Sequence, residues 1–160
     1  MRSTAQLVEA LTERGWTLGI AESLTGGALT AEVVSVPGAS ATLLGGVIAY
    51  ATPVKASLLR VDASLLEAHG PVHARVAEQM AVGVRDAVGV AGMAADFGIS
   101  TTGIAGPDSP DGQPVGTVHI GISSPSGVCA FTFLFEGDRA SIRSQTVTAA
   151  ISAALRSMRE

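Results

Sequence analysis

One lysine, Lys55, stands against nine arginines in this chain of 160 residues, and the single tyrosine, Tyr50, lies five positions upstream of it. Arginine replaces lysine wherever a solvated positive charge suffices, but it stays protonated near neutral pH, whereas lysine can lose its proton. A position that keeps its amine is a candidate for base chemistry. The alternative is a composition biased towards arginine that left one lysine by accident. The segment Ala21-Glu22-Ser23-Leu24-Thr25-Gly26-Gly27 supplies a group on which such a base could act. A serine hydroxyl is a weak nucleophile until a neighbouring base takes its proton, so Ser23 and Lys55 form a candidate pair.

Other segments carry binding chemistry. Thr25-Gly26-Gly27 at a helix start would offer free backbone N–H groups and a positive dipole end, which suit an anion or the oxyanion of a tetrahedral intermediate; ordinary turn glycines are the alternative. Arg139 and Arg143, four apart, share one face in the first turns of a helix, where cations oppose the macrodipole. Phosphate binding explains that placement better than a solvated surface does. Thr101-Thr102-Gly103 supplies hydroxyls and flexible backbone directly after a strand, with a plain strand-end turn as the alternative. A Walker A loop needs Gly-Lys, and the only lysine follows Val54; the glycines around residues 19–27 lack G-x-G-x-x-G spacing. His69 and His73 are separated by Gly70-Pro71 and joined by no further Cys/His cluster, so no metal site is expected.

The elements that must position these groups are legible from periodicity. Residues 3–14 form an amphipathic helix stopped by Gly15, and residues 17–21 a short buried strand. Gly26-Gly27 then opens a helix to about residue 35, closed by Pro37-Gly38, so Ser23 falls in a strand-to-helix turn. Residues 46–50 read as a second buried strand, and Pro53 suits the first turn of a short helix carrying Lys55. Asp62 caps a helix to His69, and a longer helix covers residues 72–88. Residues 96–102 give a third strand, followed by a Gly/Pro-rich loop over 103–114 that is the candidate binding loop. Residues 116–123 and 128–135 alternate as a hairpin, and Asp138 caps a terminal helix to Arg156.

Strands separated by helices predict an α/β fold: a three-layer α/β/α sandwich with a mixed, mostly parallel sheet of about five strands. If the first three strands run parallel, Ser23, Tyr50 and Thr101-Thr102 all lie at carboxyl ends, where open α/β sheets bind ligands. The length fits one domain spanning residues 1–160. Hydrophobic residues make up 47% and charged residues 15%, with an apolar surplus that suits a homo-oligomer, a dimer or higher. A formal charge of −4 without any Lys/Arg cluster argues against nucleic acid or an anionic membrane as partner. Cys129, the lone cysteine, has apolar strand-like neighbours and reads as a packed core thiol in a reducing compartment. The N-terminus does not read as a secretory signal, and no apolar run reaches eighteen residues, so a cytoplasmic location is expected.

Taken in order, these segments resemble the C-terminal domain of the competence/damage-inducible protein CinA, a family whose stand-alone members are nicotinamide-nucleotide amidohydrolases. The resemblance rests on Ala21-Glu22-Ser23-Leu24-Thr25-Gly26-Gly27, Pro37-Gly38-Ala39-Ser40, Gly45-Gly46-Val47-Ile48-Ala49-Tyr50 with Lys55, Thr102-Gly103-Ile104-Ala105-Gly106-Pro107, Pro114-Val115-Gly116-Thr117-Val118, and Gly137-Asp138-Arg139 through Arg143. It implies hydrolysis of the carboxamide of nicotinamide mononucleotide, a pyridine nucleotide, to nicotinate mononucleotide and ammonia. The implied nucleophile is Ser23, with Lys55 and Tyr50 as partners and no metal or cofactor. Substrate-binding positions implied in the same way are Glu22, Thr25, Gly26, Gly27, Ser40, Thr101, Thr102, Gly103, Arg139 and Arg143. The sequence departs from the family pattern at Leu24, where Cys is common, at Thr52-Pro53, at His73 and at Gln113, which replaces the usual Lys before Pro-Val-Gly. The last removes a cation from the glycine-rich loop and leaves room for a different phosphorylated amide as substrate. A non-catalytic nucleotide-binding module is the rival reading.

Overall fold

The computed structural model describes residues 2–159, in the order α1 (Arg2–Arg14), β1 (Leu18–Glu22), α2 (Ala28–Val34), β2 (Leu43–Ile48), α3 (Thr52–Leu59), α4 (Ala63–His69), α5 (Ala74–Ala87), β3 (Phe97–Gly103), β4 (Thr117–Ser124), β5 (Gly127–Leu134) and α6 (Arg139–Ser157). The strands form one five-stranded sheet in the order β2-β1-β3-β4-β5. β1 pairs in parallel with both β2 and β3, whereas β4 and β5 run antiparallel as a hairpin. The fold is therefore the mixed-sheet α/β/α sandwich expected, with three parallel strands at its centre and one edge.

Alternation along β1 divides the core into two layers. Leu18 and Ile20 pack with Leu7, Leu11, Leu29 and Ile151 under α1, α2 and α6, whereas Ala21 packs with Val76, Met80 and Val84 under α3, α4 and α5. On the second face α5 lies unusually close to the sheet. A Cβ on Gly98 would sit 2.0 Å from the carbonyl oxygen of Ala81, and one on Gly121 would sit 2.1 Å from that of Ala77. The same approach lets the Ser100 hydroxyl donate to Ala77 O at 2.6 Å. Backbone cannot yield as a flexible side chain does, so Gly121→Ala is expected to cost about 3 kcal/mol by forcing helix and sheet apart. Thermal denaturation should show a midpoint lower by about 6–12 °C, and an unchanged midpoint would contradict this packing.

Helix starts follow the sequence signals. Asp62, His73 and Asp138 accept the backbone N–H of Ser64, Arg75 and Ser141 at the N-termini of α4, α5 and α6. Two expectations need correction. The second strand covers Leu43–Ile48 rather than residues 46–50 and is a half-exposed sheet edge, because only β1 pairs with it; Tyr50 lies beyond its end and is 62% exposed. Cys129 is exposed, not packed in the core: it sits on the outermost strand, β5, with its Sγ 3.9 Å from Ser157 Oγ.

Candidate active site

β1 ends on a glutamate whose side chain builds the next helix. Glu22 is fully buried, and its carboxylate accepts from Gly27 N (3.1 Å), Leu29 N (3.0 Å), Thr30 N (2.8 Å) and Thr30 Oγ1 (2.6 Å). Gly27, the N-cap residue of α2 at φ 101°, has no side chain with which to cap it. The carboxylate replaces that cap and sets its charge against the positive end of the helix.

Between Glu22 and α2 the chain must turn sharply, and Ser23 heads the turn. Its N–H donates to Thr101 O at 3.1 Å, which ties the turn to β3, and its carbonyl accepts from Gly26 N at 3.1 Å. Thr25 Oγ1 meets Thr101 Oγ1 at 2.8 Å in the buried space beneath. Arg143, reaching across from α6, donates from Nε to Leu24 O at 2.8 Å and from Nη2 to Thr25 O at 3.0 Å. The turn that carries the serine is thus tied to both β3 and α6.

Lys55 arrives from the opposite side. It projects from the first turns of α3, is 1% exposed, and places Nζ 2.9 Å from Ser23 Oγ. Its other two contacts are carbonyls, Ala49 O at 2.6 Å and Tyr50 O at 3.2 Å. Both carbonyls accept only, so they require N–H groups whatever the protonation state. When Nζ is neutral it has two N–H groups and one lone pair, and Ser23 Oγ, the one partner with a hydrogen to give, is where that lone pair is directed. Burial pushes the amine down from 10.5 to about 8, because desolvation disfavours its charged form.

Ser23 and Lys55 open onto a cleft of about 290 Å³ whose walls include Leu24, Tyr50, Thr102, Asp108, Asp111 and Arg139. Arg139 donates from Nη1 to Gly106 O at 2.8 Å and from Nη2 to the Tyr50 hydroxyl at 3.3 Å, so it bridges the two sides of the mouth. The tyrosine phenol therefore meets Arg139, while its main-chain carbonyl meets Lys55. A larger groove of about 430 Å³ runs between α1, α2 and α6, but it holds neither Ser23 nor Lys55. Chemistry rather than size selects the cleft.

The positions singled out from sequence divide accordingly. Ser23, Lys55, Tyr50, Thr102, Gly103 and Arg139 line the cleft. Glu22, Thr25, Gly26, Gly27, Ser40, Thr101 and Arg143 do not. Glu22 and Thr101 are committed to internal hydrogen bonds, the Gly26 N–H is taken by Ser23 O, and the Gly27 N–H by Glu22. Gly26 and Gly27 thus cannot also serve an oxyanion; among the described residues, the Leu24 and Thr25 amides are the ones on this turn with no acceptor. Ser40 is exposed on the short 3-10 turn before β2. Gln113 is not itself a wall residue, but its Nε2 braces two that are, bonding Val72 O at 3.0 Å and Asp111 Oδ2 at 2.7 Å. Sequence reasoning missed Asp108 and Asp111, although both lie within the loop it marked. The walls at Pro71 and Val72 left no signal beyond the helix break at Gly70-Pro71. His73 caps α5 and stacks on His69 at 4.5 Å, and no group of three potential metal-ligating side chains occurs among the described residues. No helix among them is long and apolar enough to cross a membrane.

Comparison with known proteins agrees with this architecture. Residues 2–158 match the family model described as the CinA C-terminal domain. A "CinA-like protein" of Frankia casuarinae is 47% identical over 141 residues, covering 88% of this chain and 31% of that protein. A "putative competence-damage inducible protein" of Desulforamulus reducens is 44% identical over 146 residues, covering 91% of this chain and 34% of its own. The chain thus spans about a third of the length of the curated relatives it matches. Among solved structures, a CinA superfamily protein from Klebsiella pneumoniae superimposes with a TM-score of 0.91 at 30% identity, covering 98% of this chain and 96% of that one. On the match over nearly its whole length, this chain belongs to the CinA C-terminal domain family.

Proposed function

We propose that this chain hydrolyses the carboxamide of nicotinamide mononucleotide to nicotinate mononucleotide and ammonia. The observation that carries the reading is the 2.9 Å contact between Lys55 Nζ and Ser23 Oγ, with two carbonyls fixing the remaining directions of the amine. Neutral Lys55 takes the Ser23 proton as Oγ bonds to the amide carbon, and the carbonyl oxygen becomes an oxyanion. The Leu24 amide, free of an acceptor and at the cleft wall beside Ser23, holds that oxyanion. Collapse breaks the C–N bond, and the departing nitrogen takes the proton from Lys55 and leaves as ammonia. Water then adds to the acyl-enzyme with Lys55 again as base, releasing the carboxylate and restoring Ser23.

The polarity of the cleft supports a pyridine nucleotide. Arg139 offers a cation to a phosphate at the mouth, and Asp108 and Asp111 set carboxylates along the loop wall, where a cationic pyridinium ring is favoured. Tyr50 acts through its main-chain carbonyl on Lys55 and through its hydroxyl on Arg139, rather than by direct proton transfer to the substrate.

The experiment is ammonia release from nicotinamide mononucleotide by purified protein, beside nicotinamide itself. Turnover with the nucleotide and little with the free base is expected, since remote binding of the phosphate positions the amide. Nucleotide binding by calorimetry without ammonia would mark a binding module instead.

A pH dependence follows from the buried amine. The base is competent only when neutral, so kcat/KM should be lost as pH falls through about 8 and level off above it. Below that point it should change about tenfold per pH unit, as expected for one essential deprotonation. A flat profile between pH 6 and 9 would exclude Lys55 as the base.

A further inference from the structure

We propose that Arg143 is a positioning residue for the Ser23 turn and its oxyanion-binding Leu24 amide, a role that rests on the serine-nucleophile reading above, and that it is not a ligand of the substrate phosphate. Its guanidinium reaches from α6 to the carbonyls of Leu24 and Thr25, at 2.8 and 3.0 Å. A peptide unit is planar and trans, so a carbonyl pinned on one side turns the N–H of the same unit to the other. The unit whose carbonyl is Leu24 O carries the Thr25 N–H, and the unit whose carbonyl is Ser23 O carries the Leu24 N–H. Ser23 O is pinned by Gly26 N at 3.1 Å and Leu24 O by Arg143 Nε. Arg143 Nη2 also holds Thr25 O, whose peptide carries the Gly26 N–H that pins Ser23 O, so the Leu24 amide at the cleft wall is fixed through Arg143.

The two pins differ in kind. Gly26 N–H is neutral and local, whereas Arg143 is a cation brought in from 119 residues away in sequence. A cation on a carbonyl polarises the whole peptide unit and strengthens its N–H as a donor. The fork of the guanidinium also spans two successive carbonyls, which a lysine ammonium at the same position cannot do with comparable geometry. Arg143 is absent from the walls of the catalytic cleft and lines the groove between α1, α2 and α6 instead. Arg139 is the arginine left to meet a phosphate in the cleft.

The test compares Arg143→Lys and Arg143→Gln with the unaltered chain on nicotinamide mononucleotide and on nicotinamide riboside, which lacks the phosphate. With the nucleotide, kcat should fall about 10²-fold, the scale of a lost oxyanion donor, with KM changed less than about threefold. The riboside should lose kcat by the same factor. A loss carried by KM, or seen with the nucleotide alone, would make Arg143 a phosphate ligand and overturn the proposal. A second readout needs no substrate: phosphonylation of Ser23 by a fluorophosphonate, in which the Oγ–P bond forms, fluoride leaves and Lys55 receives the proton. Labelling should be about tenfold slower in Arg143→Lys at a matched unfolding midpoint, because the phosphoryl oxygen uses the same amide. Equal labelling rates, or no labelling of Ser23 in the unaltered chain, would sink the assignment. Failure of the unaltered chain to release ammonia counts against the proposed reaction and leaves the labelling comparison standing. If Arg143→Gln does not fold, Arg143→Lys, which keeps the charge, decides the matter.

Discussion

Lys55→Met and Lys55→Arg are each expected to lower kcat by about 10³-fold or more, the methionine variant as a folded protein, because a general base and its nucleophile work as one unit. Methionine fills a similar volume but has no basic nitrogen. Arginine keeps a charge but cannot shed a proton near neutral pH, and its planar fork does not fit a space built for a tapering ammonium between Ala49 O, Tyr50 O and Ser23 Oγ. The fold should survive the methionine change because two effects oppose each other. Two carbonyls lose their donor, at about 1–3 kcal/mol each. Against this, the amine no longer has to be held in a site that drives its pKa from 10.5 to about 8, a shift worth roughly 3 kcal/mol at 1.4 kcal/mol per unit. Ser23→Ala should match the loss of activity, and the double variant should be no worse than either single one. Ammonia release with each variant, read beside its thermal midpoint, checks the claim. Turnover retained in Lys55→Arg would remove the amine from the mechanism.

The layout of the fold was legible because hydrophobic period, caps and glycine breaks agreed along most of the chain. Asp62 and Asp138 cap the helices that they were expected to cap, and Gly15 stops α1 in the left-handed region at φ 64°. Burial of edge elements was less legible. β2 and β5 look as apolar as a central strand, yet each has a neighbour on one side only, so Ile48, Leu134 and Cys129 are exposed. Whether a strand lies at an edge depends on pairing order, which local pattern does not encode.

The site was legible to the level of residue type and not to the level of direction. A lone lysine and a serine in a strand-to-helix turn suggested a pair, and the sheet brings them into contact. Motif membership could not tell a residue that faces the cleft from one that braces it. Thr25 and Thr101 spend their hydroxyls on each other, and Arg143 spends its guanidinium on main-chain carbonyls. The two arginines four apart do share a helix face, as spacing implies, but one turn of α6 separates the mouth of the cleft from the back of the Ser23 turn. A shift of that size exchanges one function for another.

Glu22→Ala is expected to be the most destabilising single change near the site, costing about 3–5 kcal/mol and lowering the unfolding midpoint by about 8–15 °C. The fully buried carboxylate accepts from three backbone N–H groups and one hydroxyl, so alanine removes the partner of all four, the Leu29 N–H in the buried core and those of Gly27 and Thr30 at partly buried positions. Gly27 has no side chain to take over, and α2 would lose both its cap and the charge against its dipole. Glu22→Gln keeps one acceptor oxygen but turns an amide donor towards the remaining N–H groups, so it should fall between alanine and the native residue. Activity should drop in both variants through kcat, since Ser23 is joined directly to the residue that anchors the start of α2. If Glu22 instead held the substrate, alanine would raise KM and leave the midpoint where it was. The two outcomes are separated by one melting curve and one saturation curve on the same preparation.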